Sequence, residues 1–185
     1  MLDMWPSLET ERTRLRRITD QDLDFIFNHF RDKEVCLYLV DAEPPSSPEE
    51  AQEIIDWCNG NGRPNSRQNR WLIVMKETGH SIGTVGFHNL DRTNHIAEIG
   101  YDLEPDYWGK GIMGEVLQRV LGFGFSEMQL NRVQAFVHLQ NAGSYRLLRK
   151  LGFVAEGVIR DRHFFRGSYY DHHLLALLKR DFRNT

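Results

Sequence analysis

Two short runs carry the residue types that could do chemistry: PDYWGKGIMGEV at 105–116 and NAGSYRLLRKLGF from Asn141. Glycines between a strand and a helix bare the backbone N–H groups of the first helical turn. Those groups lack intrahelical acceptors, and the positive end of the helix dipole suits them to a phosphate. Gly109, Gly111 and Gly114 spell GxGxxG, and Val116 extends this to GxGxxGxV. A dinucleotide fingerprint, however, needs its first glycine at the strand end and an acid about 20 residues later. Here Glu104 to Trp108 intervene, and the next strand ends in His138-Leu139-Gln140. A kinase loop would need a later strand lysine, a catalytic-loop aspartate and DFG, and these are missing. A Walker A loop fails because Gly111 follows Lys110 and no glycine stands five places before Gly109. Two uses of the glycines remain: cradling a diphosphate on the N–H groups from Gly109 to Gly114, or allowing a helix to pack closely on a sheet.

The elements that must position these runs follow from pattern. Thr13 to Ile18 alternates as a strand, and Thr19 with Asp22 forms a capping box before a helix through LDFIFNHF. In SPEE, Ser47 is the N-cap and Pro48 the first helical residue of AQEIIDWC, which should stop at Asn59–Gly60. A polar loop, GNGRPNSRQNR, leads to the strands WLIVMK and SIGTVGFH around the turn ETGHS, and then to HIAEIGYDL. Ile112, Met113, Val116, Leu117, Val120, Leu121 and Phe125 form the buried stripe of a helix. The strand RVQAFVHL follows, then a helix capped by Asn141 and ended by Gly152, then VAEGVIRDRHFF and YYDHHLLALL as a closing pair. The fold class is α/β with a mixed, mostly antiparallel central sheet flanked by helices.

The 185 residues, 41% of them hydrophobic, suffice for one well-buried domain spanning 1–185. A net charge of −3 gives no reason to expect a nucleic-acid or membrane partner. Cys36 and Cys58 sit in apolar helical stretches and read as small core residues in a reducing compartment. MLDMWPSLETERTR lacks the pattern of a signal peptide, so a cytoplasmic protein is expected.

EIGYDLEPDYWGKGIMGEVL, followed by NAGSYRLLRKLGF, resembles the acetyl-CoA-binding core of the GNAT N-acetyltransferases, here about 95–155. LETERTRLRRI, TGHSIGTVGFHNL and RGSYYD extend the resemblance to the RimJ/RimL branch, which acetylates ribosomal-protein N-termini. The resemblance implies a single GNAT-like domain that uses acetyl-CoA as cosubstrate. Trp108, Gly109, Lys110, Gly111, Ile112 and Met113 occupy the superfamily's Q/R-x-x-G-x-G/A loop, with Trp108 and Met113 departing from it. Backbone N–H groups through Gly114 would hold the pyrophosphate, and Tyr101 to Leu103 would offer a strand edge to the pantetheine arm. Asn141 would bind the ligand. Family relatives also commonly form homodimers.

Acetyl transfer from a thioester to an amine needs a neutral amine, oxyanion donors and a proton for the departing thiolate. Backbone N–H groups around Ile99 to Tyr101 suit the oxyanion, with Gly100 marking a bulge or a close approach. Glu98, between Ala97 and Ile99, is a base candidate whose apolar neighbours should raise its pKa. It could equally be a strand glutamate paired with an arginine. His163 in RDRHFF is the rival base. The superfamily's acid is often a tyrosine at the position held here by Leu148, and the resemblance offers Ser144 instead, unless that serine merely starts its helix. His172 and His173, adjacent on a strand, should face opposite ways, and no metal is expected.

Three functions stand at this point. One is an N-acetyltransferase acting on a protein N-terminal amine or on a small amine such as a polyamine, amino acid or antibiotic. The second is a catalytically silent acyl-CoA-binding module, against which the Asn141/Ser144 pair and the intact loop argue. The third is an NAD-dependent oxidoreductase, resting on the literal GxGxxG alone.

Overall fold

Local signals open each element as the chemistry of caps requires. In the computed structural model, which describes residues 6–59 and 69–183, the Thr19–Asp22 capping box precedes α1 (Leu23–His29). The Ser47 side chain accepts the Glu50 N–H at 3.4 Å to start α2 (Pro48–Cys58), which ends on Asn59. Gly60 and the polar loop up to Gln68 lie outside the described residues. Glycine also closes α4 (Ala142–Lys150), where Gly152 takes a φ of +93°.

The strands are β1 (Leu8–Glu9), β2 (Thr13–Arg17), β3 (Asn69–Met75), β4 (Ser81–Asp91), β5 (Ile96–Leu103), β6 (Arg132–His138), β7 (Val154–Phe165) and β8 (Ser168–Leu178). β1 was not expected, because two residues are too few to show alternation. The sheet runs β1-β2-β3-β4-β5-β6-β8-β7, and every pairing is antiparallel except β5 with β6. This is the mixed, mostly antiparallel α/β sheet that the element order implied.

Helices cover both faces. On one face, Val116, Leu117, Val120 and Leu121 of α3 (Ile112–Ser126) pack with Leu148 of α4 onto Val85, Phe87 and Ile99. Gly124 lets α3 lie close, since a Cβ there would stand 2.7 Å from the Phe87 ring. On the other face, Ile26 of α1 and Ala51 and Ile55 of α2 pack onto Ile18 and Leu72. Each aliphatic side chain buried so completely contributes about 1.5–3 kcal/mol. No helix among the described residues is long and apolar enough to cross a membrane.

One irregularity positions everything that follows. The parallel strands β5 and β6 pair only at Ile96↔Arg132, Ala97↔Val133 and Glu98↔Gln134. Beyond those three they part, opening a cleft through the sheet. α3 starts after the C-terminal end of β5 and α4 after that of β6, so both helix N-termini lie at the open end.

Candidate active site

The glycine loop is shaped by backbone conformation rather than by packing. Gly109 and Gly111 hold φ of +71° and +77°. A Cβ at Gly109 would meet nothing within 4 Å, and one at Gly111 only the Arg12 Nη2, at 3.6 Å. A Cβ at Gly114 would make an ordinary contact with Leu147 Cδ1, at 3.5 Å. Left-handed backbone costs an L-residue roughly 1–2 kcal/mol, so glycine is the natural occupant. The consequence is chemical: Gly111 is the N-cap of α3 and supplies no side-chain cap, leaving the first-turn N–H groups bare. Ile112 and Met113 turn their side chains into the core and offer only backbone. Such an end can hold a diphosphate.

The loop is tied at both ends. Trp108 Nε1 donates to the Leu103 carbonyl at 2.7 Å, fixing the loop to the end of β5. Arg12 donates from Nη1 to the Lys110 carbonyl at 2.9 Å and from Nε to Glu115 Oε2 at 2.7 Å, while its backbone N–H reaches Glu115 Oε1 at 2.8 Å. Lys110 carries its Nζ over the Tyr107 ring, 5.6 Å from the centroid.

Inside the cleft, alternation decides which strand groups are open. The Glu104 N–H donates to the Ile82 carbonyl, so the N–H and C=O groups of Ile99, Tyr101 and Leu103 point to the opposite edge, toward β6. Beyond the last paired residues, Glu98 and Gln134, β6 no longer meets that edge. The Tyr101 N–H can therefore serve an oxyanion, and the edge from Tyr101 to the Leu103 N–H can receive an extended ligand, the Leu103 carbonyl being held by Trp108. Gly100 is not a bulge, because the register runs through it unbroken from Gly83↔Leu103 to His88↔Glu98. It marks a close approach instead: a Cβ there would stand 3.1 Å from Arg70 Nη1 and 3.2 Å from His88 Cε1.

On the face covered by α3 and α4, Tyr101 and Ser144 meet, with Oη and Oγ 2.6 Å apart. Burial pushes the Tyr101 phenol well above its ordinary range against the opposing hydrogen bond, so it stays protonated. The Asn141 side-chain Oδ1 accepts the Ser144 N–H at 3.0 Å as the cap of α4, which leaves the Ser144 hydroxyl for Tyr101. Such a pair of hydroxyls can pass a proton.

Glu98 and His163 occupy the other face. Glu98 does not behave as its apolar neighbours in sequence suggested. Burial favours its neutral form, but hydrogen bonds and charge from His88, the Asn89 side chain and Arg162 outweigh this and hold the carboxyl below its ordinary value. His88 Nε2 lies 3.3 Å from Glu98 Oε2, Arg162 Nη2 lies 3.9 Å away, and Gln134 Nε2 donates to Oε1 at 3.4 Å. His163 is half-buried and lies edge-on to His172, with ring centroids 4.9 Å apart. Desolvation and the nearby Arg162 lower its pKa. As alternation required, His172 packs against His138 and His163, while His173 turns away to Tyr145. Tyr38 stacks on His138, whereas Phe25, Phe27, Phe30 and Trp57 join the smaller core.

Beside them lies a buried ionic network. Asp102 accepts from Arg70 Nη2 at 2.5 Å, from the Thr84 N–H at 2.8 Å and from Thr84 Oγ1 at 2.7 Å, and it meets His29 Nε2 at 2.7 Å. Burial alone would raise its pKa, but Arg70 and His29 reverse the effect and hold the carboxyl far below the usual range. Burial pushes the Cys36 thiol up to about 11 and that of Cys58 to about 12, which disfavours the reactive thiolate at both.

The predicted site residues thus divide into two groups. Loop, strand edge, Ser144 and Asn141 gather at the open end. Glu98 and His163 lie across the sheet from Ser144, and the parting of β5 and β6 connects the two faces. Sequence reasoning missed Arg12, His88, the Tyr101 hydroxyl and the Asp102 network. Arg12 sits in a run that reads as a solvated face, and its loop partner Lys110 is 98 residues away. His88 ends the run SIGTVGFH, and only the strand register reveals what it faces.

Comparison with known proteins is consistent with this geometry. Residues 12–154 match the family model described as acetyltransferase (GNAT) domain. The chain is 40% identical over 176 residues to the uncharacterized N-acetyltransferase YoaA of Bacillus subtilis, covering 95% of this chain and 98% of that protein. It is 33% identical over 146 residues to the putative ribosomal N-acetyltransferase YdaF of the same organism, covering 78% of each. A ribosomal-protein-S5-alanine acetyltransferase from Vibrio fischeri superposes with a TM-score of 0.78 at 26% identity, over 96% of this chain and 99% of that one. A spermidine N-acetyltransferase from Vibrio cholerae in complex with CoA and spermine gives 0.79 at 24% identity, over 92% and 97%.

Proposed function

Because the chain belongs to the acetyltransferase (GNAT) family and is an acetyl-CoA-dependent acyltransferase, we propose that its acceptor is a protein or peptide N-terminal amine, as in the RimJ/RimL-like branch. In this reading acetyl-CoA lies with its diphosphate on the N–H groups from Gly109 to Gly114 and its pantetheine arm along Tyr101 to Leu103. The thioester then sits where β5 and β6 part. The Tyr101 N–H holds the oxyanion, the amine enters from the α1/α2 face, and Ser144 with Tyr101 returns a proton to the thiolate. Asn141 orders the start of α4 around Ser144. Glu98 and His163 serve the amine's side of the reaction, and the enzyme works in the cytoplasm.

The observation that carries the choice of acceptor is the pairing of two carboxylates on the amine's face, Glu98 and Asp102. Glu98 is matched by His88 and Arg162, and Asp102 by Arg70 and His29. Neither has spare negative charge for a polycation such as spermidine. An α-amine, with an ordinary pKa of about 7.7–8.0, is partly neutral near pH 7, whereas an alkylamine near about 10.4 needs a far stronger drive to lose its proton. The YdaF name and the S5-alanine acetyltransferase support the same acceptor class.

The test is mass spectrometry of short peptides and spermidine incubated with enzyme and acetyl-CoA. Acetylation of peptide α-amines at a kcat/KM at least tenfold above that for spermidine supports the reading. Preference for spermidine overturns the choice of acceptor.

A further inference from the structure

Glu98 is engaged by His88, Arg162 and Gln134, yet the amine must shed a proton as it is acetylated. His88, directly across β4 and β5 from Glu98, has the geometry to take it. The register pairs His88 with Glu98, and His88 Nε2 stands 3.3 Å from Glu98 Oε2. A carboxylate so placed accepts the Nε2–H, which leaves Nδ1 as the nitrogen with a free lone pair. Nδ1 is buried and has no hydrogen-bond partner among the described residues. It lies 3.6 Å from where a Gly100 Cβ would stand, beside the strand edge that parts from β6. A buried ring nitrogen with nothing to bond is costly unless a ligand fills the place. The charged groups turned toward this ring are Arg70 from β3, Glu98 from β5 and, through Glu98, Arg162 from β7. Trp57 of α2 covers it at 6.4 Å between ring centroids. Directly after His88 the register shifts and Asn89 takes a φ of +50°, a bulge that sets the aim of the strand's last residues.

We propose that His88 is the catalytic base, its Nδ1 taking the proton of the acceptor amine, and that Glu98 is its positioning residue. The inference rests on the acetyltransferase reading and deepens it. The neutral amine attacks the thioester carbonyl carbon, so a C–N bond forms and the C–S bond breaks. The nitrogen's surplus proton passes to His88 Nδ1, and the sulfur leaves as thiolate and takes a proton through Ser144. His88 then releases its proton to water, and water resupplies the Ser144–Tyr101 pair. One amine and acetyl-CoA become one amide and CoA, with no net proton change in the enzyme.

The test joins a spectroscopic readout to a kinetic one. Ring ¹⁵N shifts of His88 in the wild type, with and without acetyl-CoA, should show the neutral ring carrying its proton on Nε2 with Nδ1 bare. In Glu98→Gln the preference for that tautomer should weaken. His88→Gln, which keeps a donor toward Glu98, should lower kcat for a peptide acceptor about 100-fold or more while leaving the Kd for acetyl-CoA within twofold. The low-pH limb of the kcat profile should vanish with it. A proton on Nδ1, or a kcat unchanged in His88→Gln, overturns the proposal. Failure of the wild type to acetylate any amine would count against the acetyltransferase reading instead, and the ring shifts would still decide the dyad.

Discussion

Replacing Gly111 by alanine and, separately, by glutamate divides the two properties that the loop asks of this residue. Its φ is +77° and the nearest atom to a new Cβ is Arg12 Nη2 at 3.6 Å, so alanine brings backbone strain without a clash. That strain is roughly 1–2 kcal/mol, or a Tm lower by about 2–8 °C in a chain of this size. Where the empty loop relaxes out of the left-handed region, binding must restore it. The same energy then emerges as a roughly 5–30-fold rise in the Kd of acetyl-CoA. Glutamate carries the identical backbone cost and adds one negative charge where the diphosphate brings about two. At about 4 Å in water each such pair repels by about 1 kcal/mol, so Gly111→Glu should bind at least tenfold more weakly than Gly111→Ala. Calorimetric titration of all three proteins with acetyl-CoA, beside thermal melts, measures both quantities. The gap between the two variants should shrink in high salt because it is Coulombic. A Gly111→Glu protein that binds within threefold of Gly111→Ala, or a gap that ignores salt, would refute a diphosphate at this helix end.

Ser144→Ala and Tyr101→Phe should each lower kcat about 10–100-fold with little change in the Kd of acetyl-CoA. The double variant should lose hardly more than the worse single one, because the hydroxyls 2.6 Å apart act as one relay; multiplicative losses in steady-state kinetics would show them to be independent. Asp102→Asn should leave the Arg70 guanidinium buried without a counter-charge, at about 3 kcal/mol, which calorimetry would read as a Tm lower by roughly 6–12 °C. In the wild type the Asp102 pKa is depressed on folding. Its contribution is therefore complete above the unfolded value near about 3.9 and is lost as pH falls through the lower folded value, so acid melts should converge with those of Asp102→Asn.

Much of the architecture was legible because its causes are local. Ser47, Thr19 with Asp22, and Gly152 act within one turn of chain, and the i, i+3/i+4 stripe of α3 needs no partner to be read. The glycines of 109–111 were legible as the break between strand and helix for the same reason, and their positive φ angles, not close packing, account for them. The two-residue β1 was not, since it exists only by pairing with β2. Nor was the behaviour of Glu98: its sequence neighbours are apolar, but in a strand those point to the other face. Its true neighbours are His88 and Arg162, brought by the register of β4 with β5 and by the β7–β8 hairpin. Arg12 likewise became part of the loop only when the first strands docked beside α3. Residue order by itself therefore determined which segments become helix or strand, where the bare helix end lies and which family the chain joins, because torsion, capping and periodicity act over a few residues. The folded sheet alone decided which titratable groups face one another and so which can hold or lose a proton, because proton affinity depends on charges and burial within a few ångströms, supplied by strands far apart in the chain.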